Sequence, residues 1–114
     1  MTMHLKMMIV LLALIFSTTA VTDCESGCRT EIVVTDCSGA AVSNARVEIK
    51  LCCNNNEQVD VKTDANGVAV VNHCLKDLCS TKIVLEGFAA SAIDRNGCSN
   101  DGKNSRCEVK VCKR

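Results

Sequence analysis

Ten cysteines carry most of the chemistry this chain could do: Cys24, Cys28, Cys37, Cys52, Cys53, Cys74, Cys79, Cys98, Cys107 and Cys112. A cysteine offers three roles: a thiolate nucleophile, a metal ligand or half of a disulfide. Zinc sites pair cysteines two residues apart, often with histidines at fixed offsets. The close spacings here are Cys24 to Cys28, Cys52 beside Cys53, Cys74 to Cys79 and Cys107 to Cys112, none of which is the usual zinc pair. A nucleophile needs a base to lower its pKa. His73 beside Cys74 is the only such neighbour. An even cysteine count favours bridges there as well. The carboxylates are scattered, and no pair reads as an acid–base couple. Asp60, Asp64 and Asn66 suggest calcium, but Lys62 stands where a ligand belongs and Ala65 where the loop needs glycine. No catalytic residue, cofactor site or metal site is therefore expected.

The disulfide reading depends on compartment. Residues 1–20 read as a secretory signal peptide. His4 and Lys6 form its polar start, Met7 to Phe16 its apolar stretch, and Ser17 to Ala20 a small-residue cleavage site. A membrane span needs about 20 apolar residues, roughly twice this run. The expectation is a secreted, extracellular protein with no membrane insertion, and one domain over residues 21–114. Ten cysteines in about 94 mature residues exceed the roughly 8–10% that marks a disulfide scaffold. The oxidising secretory route lets all ten pair. Which pairs with which stays open, since ten cysteines allow roughly 945 connectivities.

Charge and aromatic content exclude other classes. Without Lys6, the downstream chain holds twelve basic and thirteen acidic residues, with signs interleaved. That balance does not steer a protein to nucleic acid or to an anionic membrane. Phe88 is the only aromatic beyond the leader, so stacking platforms for bases or sugar rings are missing. No Asn-x-Ser/Thr acceptor is present beyond the leader.

The elements that must hold the cysteines are strands. Val47, Ile49 and Leu51 alternate with Arg46, Glu48 and Lys50. Val59 and Val61 alternate with Asp60 and Lys62, and Cys107, Val109 and Val111 with Glu108 and Lys110. Such period-two patterns mark half-buried strands. Ile32 to Val34, Val68 to Val71 and Ile83 to Leu85 are denser β-branched runs, as in central strands. Asn66-Gly67 predicts a type I′ hairpin turn between the strand ending near Asp64 and the one starting at Val68. Asp94 to Arg106 reads as a long exposed loop tied down by Cys98. Cys24 to Thr30 reads as an extended arm or a single helical turn. Strand parity puts Cys52 and Cys53 on opposite sides, and gives Cys107 the core face and Cys112 the other. The expected fold is all-β: a small, disulfide-rich antiparallel β-sandwich of six to seven strands. Its aliphatic core is thin, so bridges worth about 2–4 kcal/mol each supply much of its stability.

One segment resembles known sandwiches. Val34 to Val47, with Asp36-Cys37-Ser38-Gly39 and Asn44-Ala45-Arg46-Val47, looks like the opening of transthyretin-like (prealbumin-like) and carboxypeptidase-regulatory-like domains. Thr63-Asp64-Ala65-Asn66-Gly67 and Gly87-Phe88 continue the pattern. With Cys37, Cys52, Cys79 and Cys98 added, the chain resembles the pollen-allergen/extensin-like family of Ole e I type, over roughly Ile32 to Cys98. It departs from that family in having Ala41 where a proline is usual, no proline anywhere, and extra cysteines at Cys24, Cys28, Cys53, Cys107 and Cys112. The resemblance implies an extracellular, non-enzymatic protein.

Recognition then falls to polar loops on a rigid scaffold. The candidates are Asn54, Asn55, Asn56 and Glu57 in one loop, and Arg95, Asn96, Asn100, Asp101, Lys103 and Arg106 in the other. The expected role is an extracellular recognition ligand, its partner an extracellular or cell-surface protein. The alternatives are a cell-wall or matrix structural protein, which binds wall polymer, and an inhibitor of a secreted hydrolase.

Overall fold

The computed structural model describes residues 22–114, and the signal-peptide reading of 1–20 lies outside them. Eight strands form two sheets: β1 (Arg29–Asp36), β2 (Arg46–Leu51), β3 (Gln58–Lys62), β4 (Val68–Val71), β5 (Leu78–Val84), β6 (Ser91–Ala92), β7 (Cys98–Asp101) and β8 (Asn104–Val111). The first sheet runs β4-β1-β8-β7 and the second β3-β2-β5-β6. Short 3-10 turns, Leu75–Asp77 and Arg95–Gly97, precede β5 and β7. The fold is a small, disulfide-rich β-sandwich.

Side-chain alternation builds the core. Thr30, Ile32 and Val34 of β1 point inward, as do Val47, Ile49 and Leu51 of β2. Ala69 and Val71 of β4, Ile83 of β5 and Cys107, Val109 and Val111 of β8 meet them. Thr30 satisfies its buried hydroxyl by donating to the His73 carbonyl at 2.8 Å. Thr63 donates to the Val42 carbonyl at 2.7 Å and accepts from the Ala45 N–H at 2.9 Å. Asp36 ends β1 in a turn, accepting from the Ser38 hydroxyl at 2.6 Å and from the Ala40 N–H at 3.0 Å. These bonds, the Ser38 hydroxyl first, hold its carboxyl below the usual aspartate range.

Several sequence expectations change. β1 and β8 pair in parallel, Arg29 opposite Asn104 through Asp36 opposite Val111, so the first sheet is mixed rather than antiparallel. The strands number eight because Ser91–Ala92 forms the short β6 and the segment expected as a loop from Asp94 to Arg106 folds into β7 and the start of β8. Gly102, with φ of 62°, makes its two-residue turn with Lys103. Nor is Asn66-Gly67 a hairpin turn, because β3 and β4 lie in different sheets. Of the two residues only Gly67 has positive φ, 77°, where type I′ needs both. Asp64 shapes this corner by accepting the Asn66 and Val68 N–H groups at 2.8 and 3.0 Å. The Gly67 carbonyl then reaches the first sheet, accepting from the Val34 N–H at 2.8 Å. A Cβ there would sit 2.6 Å from the Val34 oxygen, so the corner requires glycine.

Candidate recognition surface

All ten cysteines pair: Cys24–Cys53, Cys28–Cys74, Cys37–Cys112, Cys52–Cys79 and Cys98–Cys107. The sandwich explains their placement. Strand registers put the start of β1, the end of β2, the end of β4, the start of β5 and the β7–β8 turn at one end. Cys24–Cys53, Cys28–Cys74 and Cys52–Cys79 all lie at that end. Cys37–Cys112 closes the opposite end, and Cys98–Cys107 joins directly opposed residues of β7 and β8. Parity holds as expected: Cys53 is buried and Cys52 exposed, while Cys107 is in the core and Cys112 outside it.

The segment 22–28 is an irregular arm, bent at Ser26 and Gly27, across the stapled end. It joins the two loops singled out in the sequence. On one side, the Asn54 N–H donates to the Thr22 carbonyl at 2.9 Å, and the Cys24 N–H to Asn54 Oδ1 at 3.2 Å. On the other, Lys103 Nζ donates to the Ser26 carbonyl at 3.2 Å, and the Arg29 N–H to the Lys103 carbonyl at 2.8 Å. In the middle, Glu25 pairs with Lys76 at 3.4 Å, and its N–H donates to Asp77 Oδ2 at 3.2 Å. Sequence reading missed these arm residues as part of the surface. The short Cys24–Cys28 interval, which pins both ends of the arm, was the available signal.

The asparagine loop has unusual backbone. Asn54, Asn55 and Asn56 have φ of 51°, 63° and 57°, three consecutive residues in the left-handed region. Each such residue costs about 1–2 kcal/mol for ordinary side chains, and asparagine tolerates it best after glycine. Bridges at Cys52 and Cys53 hold the loop immediately upstream. Asn54 is fixed by the arm and by Glu57, to which its side-chain amide donates at 3.4 Å. Asn55, Asn56 and Glu57 remain exposed.

The second group of candidates separates. Asn100, Asp101 and Lys103 lie at the stapled end, where Asn100 Oδ1 accepts from Ser105 at 3.1 Å. Arg106 lies on the outer face of the first sheet and binds Glu31 at 3.0 Å, while Arg29 takes the other carboxylate oxygen at 3.1 Å. These residues, with Ser99, Asp101, Asn104 and Ser105, line a shallow cavity of about 270 Å³. Arg95 and Asn96 lie on the flank. The Arg95 guanidinium donates to the Leu78 carbonyl, which covers part of β5 that the short β6 leaves unpaired. Arg95 remains exposed and gives part of its guanidinium to this contact within the fold.

Two clusters have metal-ligand composition, Cys24/Cys53/Asp77 and Glu25/Cys28/Cys74, but all their sulfurs are bound in disulfides. Cys74, the neighbour of His73, is bridged to Cys28 and offers no thiolate. Asp64 is committed to its own turn rather than to a calcium loop. Among the described residues, no helix is long and apolar enough to cross a membrane.

Fold and site together define a stapled β-sandwich that presents braced polar loops at one end. No family model matches the sequence, and no curated protein matches it. A solved structure of the TIE protein of Bacillus anthracis is similar, with TM-score 0.52 and 19% identity. The match covers 78% of this chain and 17% of that one, so this chain spans a small part of that protein's length. At this identity the likeness shows the fold alone.

Proposed function

We propose that this is a secreted, non-enzymatic recognition ligand whose contact surface is the stapled end, centred on Asn55, Asn56, Glu57, Asp101 and Lys103. The observation that carries the reading is the convergence of three bridges on this end, which braces exposed polar loops otherwise costly to order. Five bridges suit an oxidising extracellular compartment. The resemblance to the Ole e I type family supports an extracellular setting, and the expected partner is an extracellular or cell-surface protein.

The test is capture. The chain, secreted from an oxidising host, is immobilised and exposed to surface extracts of its source tissue. Controls are a reduced, alkylated sample and a variant with Asn55→Ala, Asn56→Ala and Lys103→Glu. One protein retained by the native chain and lost with both controls is the expected result. Retention by the loop variant would reject this surface. Retention only on wall polymer would favour the matrix role, and dose-dependent slowing of a captured hydrolase the inhibitor role.

A further inference from the structure

β3 is the open edge of the second sheet. The Leu51 N–H bonds the Glu57 carbonyl at 2.9 Å, and the Thr63 N–H bonds the Ala45 carbonyl at 3.0 Å. Hydrogen-bonding positions alternate along an antiparallel pair. Val59 and Val61, in phase with Glu57 and Thr63, therefore face β2 with their backbone groups. Gln58, Asp60 and Lys62 turn theirs away from the sheet, and all three are exposed. Such an edge is a template for another strand. The other edges offer less. Asp64 occupies the backbone groups of Val68 in β4, β6 has two residues, and β7 has four.

The charges on β3 oppose their own neighbours. Lys62 lies opposite Arg46, and Asp60 opposite Glu48. Like charges directly opposed destabilise a sheet. Arg46 and Glu48, two residues apart along β2, relieve each other at 3.2 Å. Neither Asp60 nor Lys62 has an ion-pair partner among the described residues.

We propose that β3 pairs with β3 of a second copy of this chain, antiparallel about a two-fold axis. Asp60 lies opposite Lys62 of the second copy, and Val61 opposite Val61. Three conditions select this register. Asp60 and Lys62 both direct backbone groups outward, so they can exchange hydrogen bonds. Their side chains share the outer face, so the sheet continues without a parity break. Their charges are opposite. The neighbouring symmetric register, Asp60 opposite Asp60, meets the first two conditions and fails the third. In the chosen register a continuous row forms: Glu48 and Asp60 of one copy, then Lys62 and Arg46 of the other. The like-charge pairs of β2 and β3 each gain an opposite charge across the axis, and the half-buried Val61 side chains meet on the inner face.

Charge reversal tests this by sedimentation velocity. The chain secreted from an oxidising host is run across a wide concentration range, beside Asp60→Lys, Lys62→Asp and the double variant. The wild type is expected to dimerise with concentration. Each single variant should weaken the dimer roughly tenfold or more, because like charges then meet twice across the axis. The double variant should restore it. Mixing the two single variants should produce a heterodimer, since the edge of one then carries two lysines and the edge of the other two aspartates. Recovery on mixing cannot come from a misfolded chain. A wild type that stays monomeric, a dimer that either reversal leaves intact, or singles that fail to associate when mixed would each overturn the proposal.

Discussion

Removing the bridges one at a time tests whether they act by restricting the unfolded chain. Cys37–Cys112 and Cys52–Cys79 form the informative pair, because all four cysteines are exposed and their loss opens no core cavity. They close 75 and 27 residues of chain. The remaining bridges shorten both loops. With Cys28–Cys74 and Cys98–Cys107 intact, the path from Cys37 to Cys112 falls to about 40 residues, worth about 4 kcal/mol of unfolded-state entropy. With Cys24–Cys53 and Cys28–Cys74 intact, Cys52 already lies about 12 residues from Cys79, worth about 3 kcal/mol. Cys37→Ser/Cys112→Ser should therefore lose about 1 kcal/mol more than Cys52→Ser/Cys79→Ser. In a domain of this size that separates their melting temperatures by about 4–8 °C. Thermal unfolding by circular dichroism, after mass spectrometry confirms the four remaining bridges, reads the difference directly. Equal or inverted losses would refute loop entropy as the governing factor and place the contribution in the folded ends.

Thr63→Val should cost about 1–3 kcal/mol in urea unfolding, because it strips the buried Val42 carbonyl and Ala45 N–H of a partner; Thr63→Ser should stay within about 1 kcal/mol. Gly67→Ala should cost about 2 kcal/mol or more, from positive φ and contact with the Val34 carbonyl, and reduce the yield of folded protein. Asn55→Ala should lower stability by about 1 kcal/mol, while Asn55→Gly holds or raises it, if the left-handed turn is what asparagine supports there. Asp36 sets part of the pH dependence. Its folded pKa lies below its unfolded one, so its contribution is present above the unfolded value and disappears as pH falls through the folded one. Melting curves should show Asp36→Asn less stable than wild type at neutral pH, with the gap closing in acid.

Period and parity made the strands legible, because a half-buried strand must alternate whatever its partner. That logic located β2, β3 and β8, put Cys52 and Cys53 on opposite sides and assigned Cys107 to the interior. It could not tell a hairpin from a corner at Asn66-Gly67, since both need a turn there. Inter-sheet anchoring at Thr63 and Val34 decides the matter. Asp94 to Arg106 looked like a loop because β7 (Cys-Ser-Asn-Asp) has no apolar alternation. It is an edge strand with little to bury, held by the Cys98–Cys107 bridge and a turn at Gly102. The candidate surface was legible as two loops but not as one site. Their union depends on the arm, and the arm's course depends on pairings that spacing leaves open. Arg95 reads as an exposed cation in sequence and is one in the structure, but its contact with the Leu78 carbonyl, beyond the reach of the short β6, is a tertiary feature that sequence does not show.

The charges of β3 mark the furthest point of this dependence. Gln-Val-Asp-Val-Lys reads in isolation as an ordinary solvated strand face. Once Lys62 is known to lie opposite Arg46, and Asp60 opposite Glu48, the same residues become a liability for the isolated sheet. Edge charges normally keep foreign strands away, because a new strand must bury them. Here the phase of the backbone groups places Asp60 and Lys62 where an identical strand presents the opposite sign, so edge protection against other chains coincides with complementarity to this one. Alternating charge on an edge can therefore be judged only after register and hydrogen-bond phase are fixed. For this edge both point to a second copy, and the mixed-variant experiment separates that meaning from a merely solvated strand.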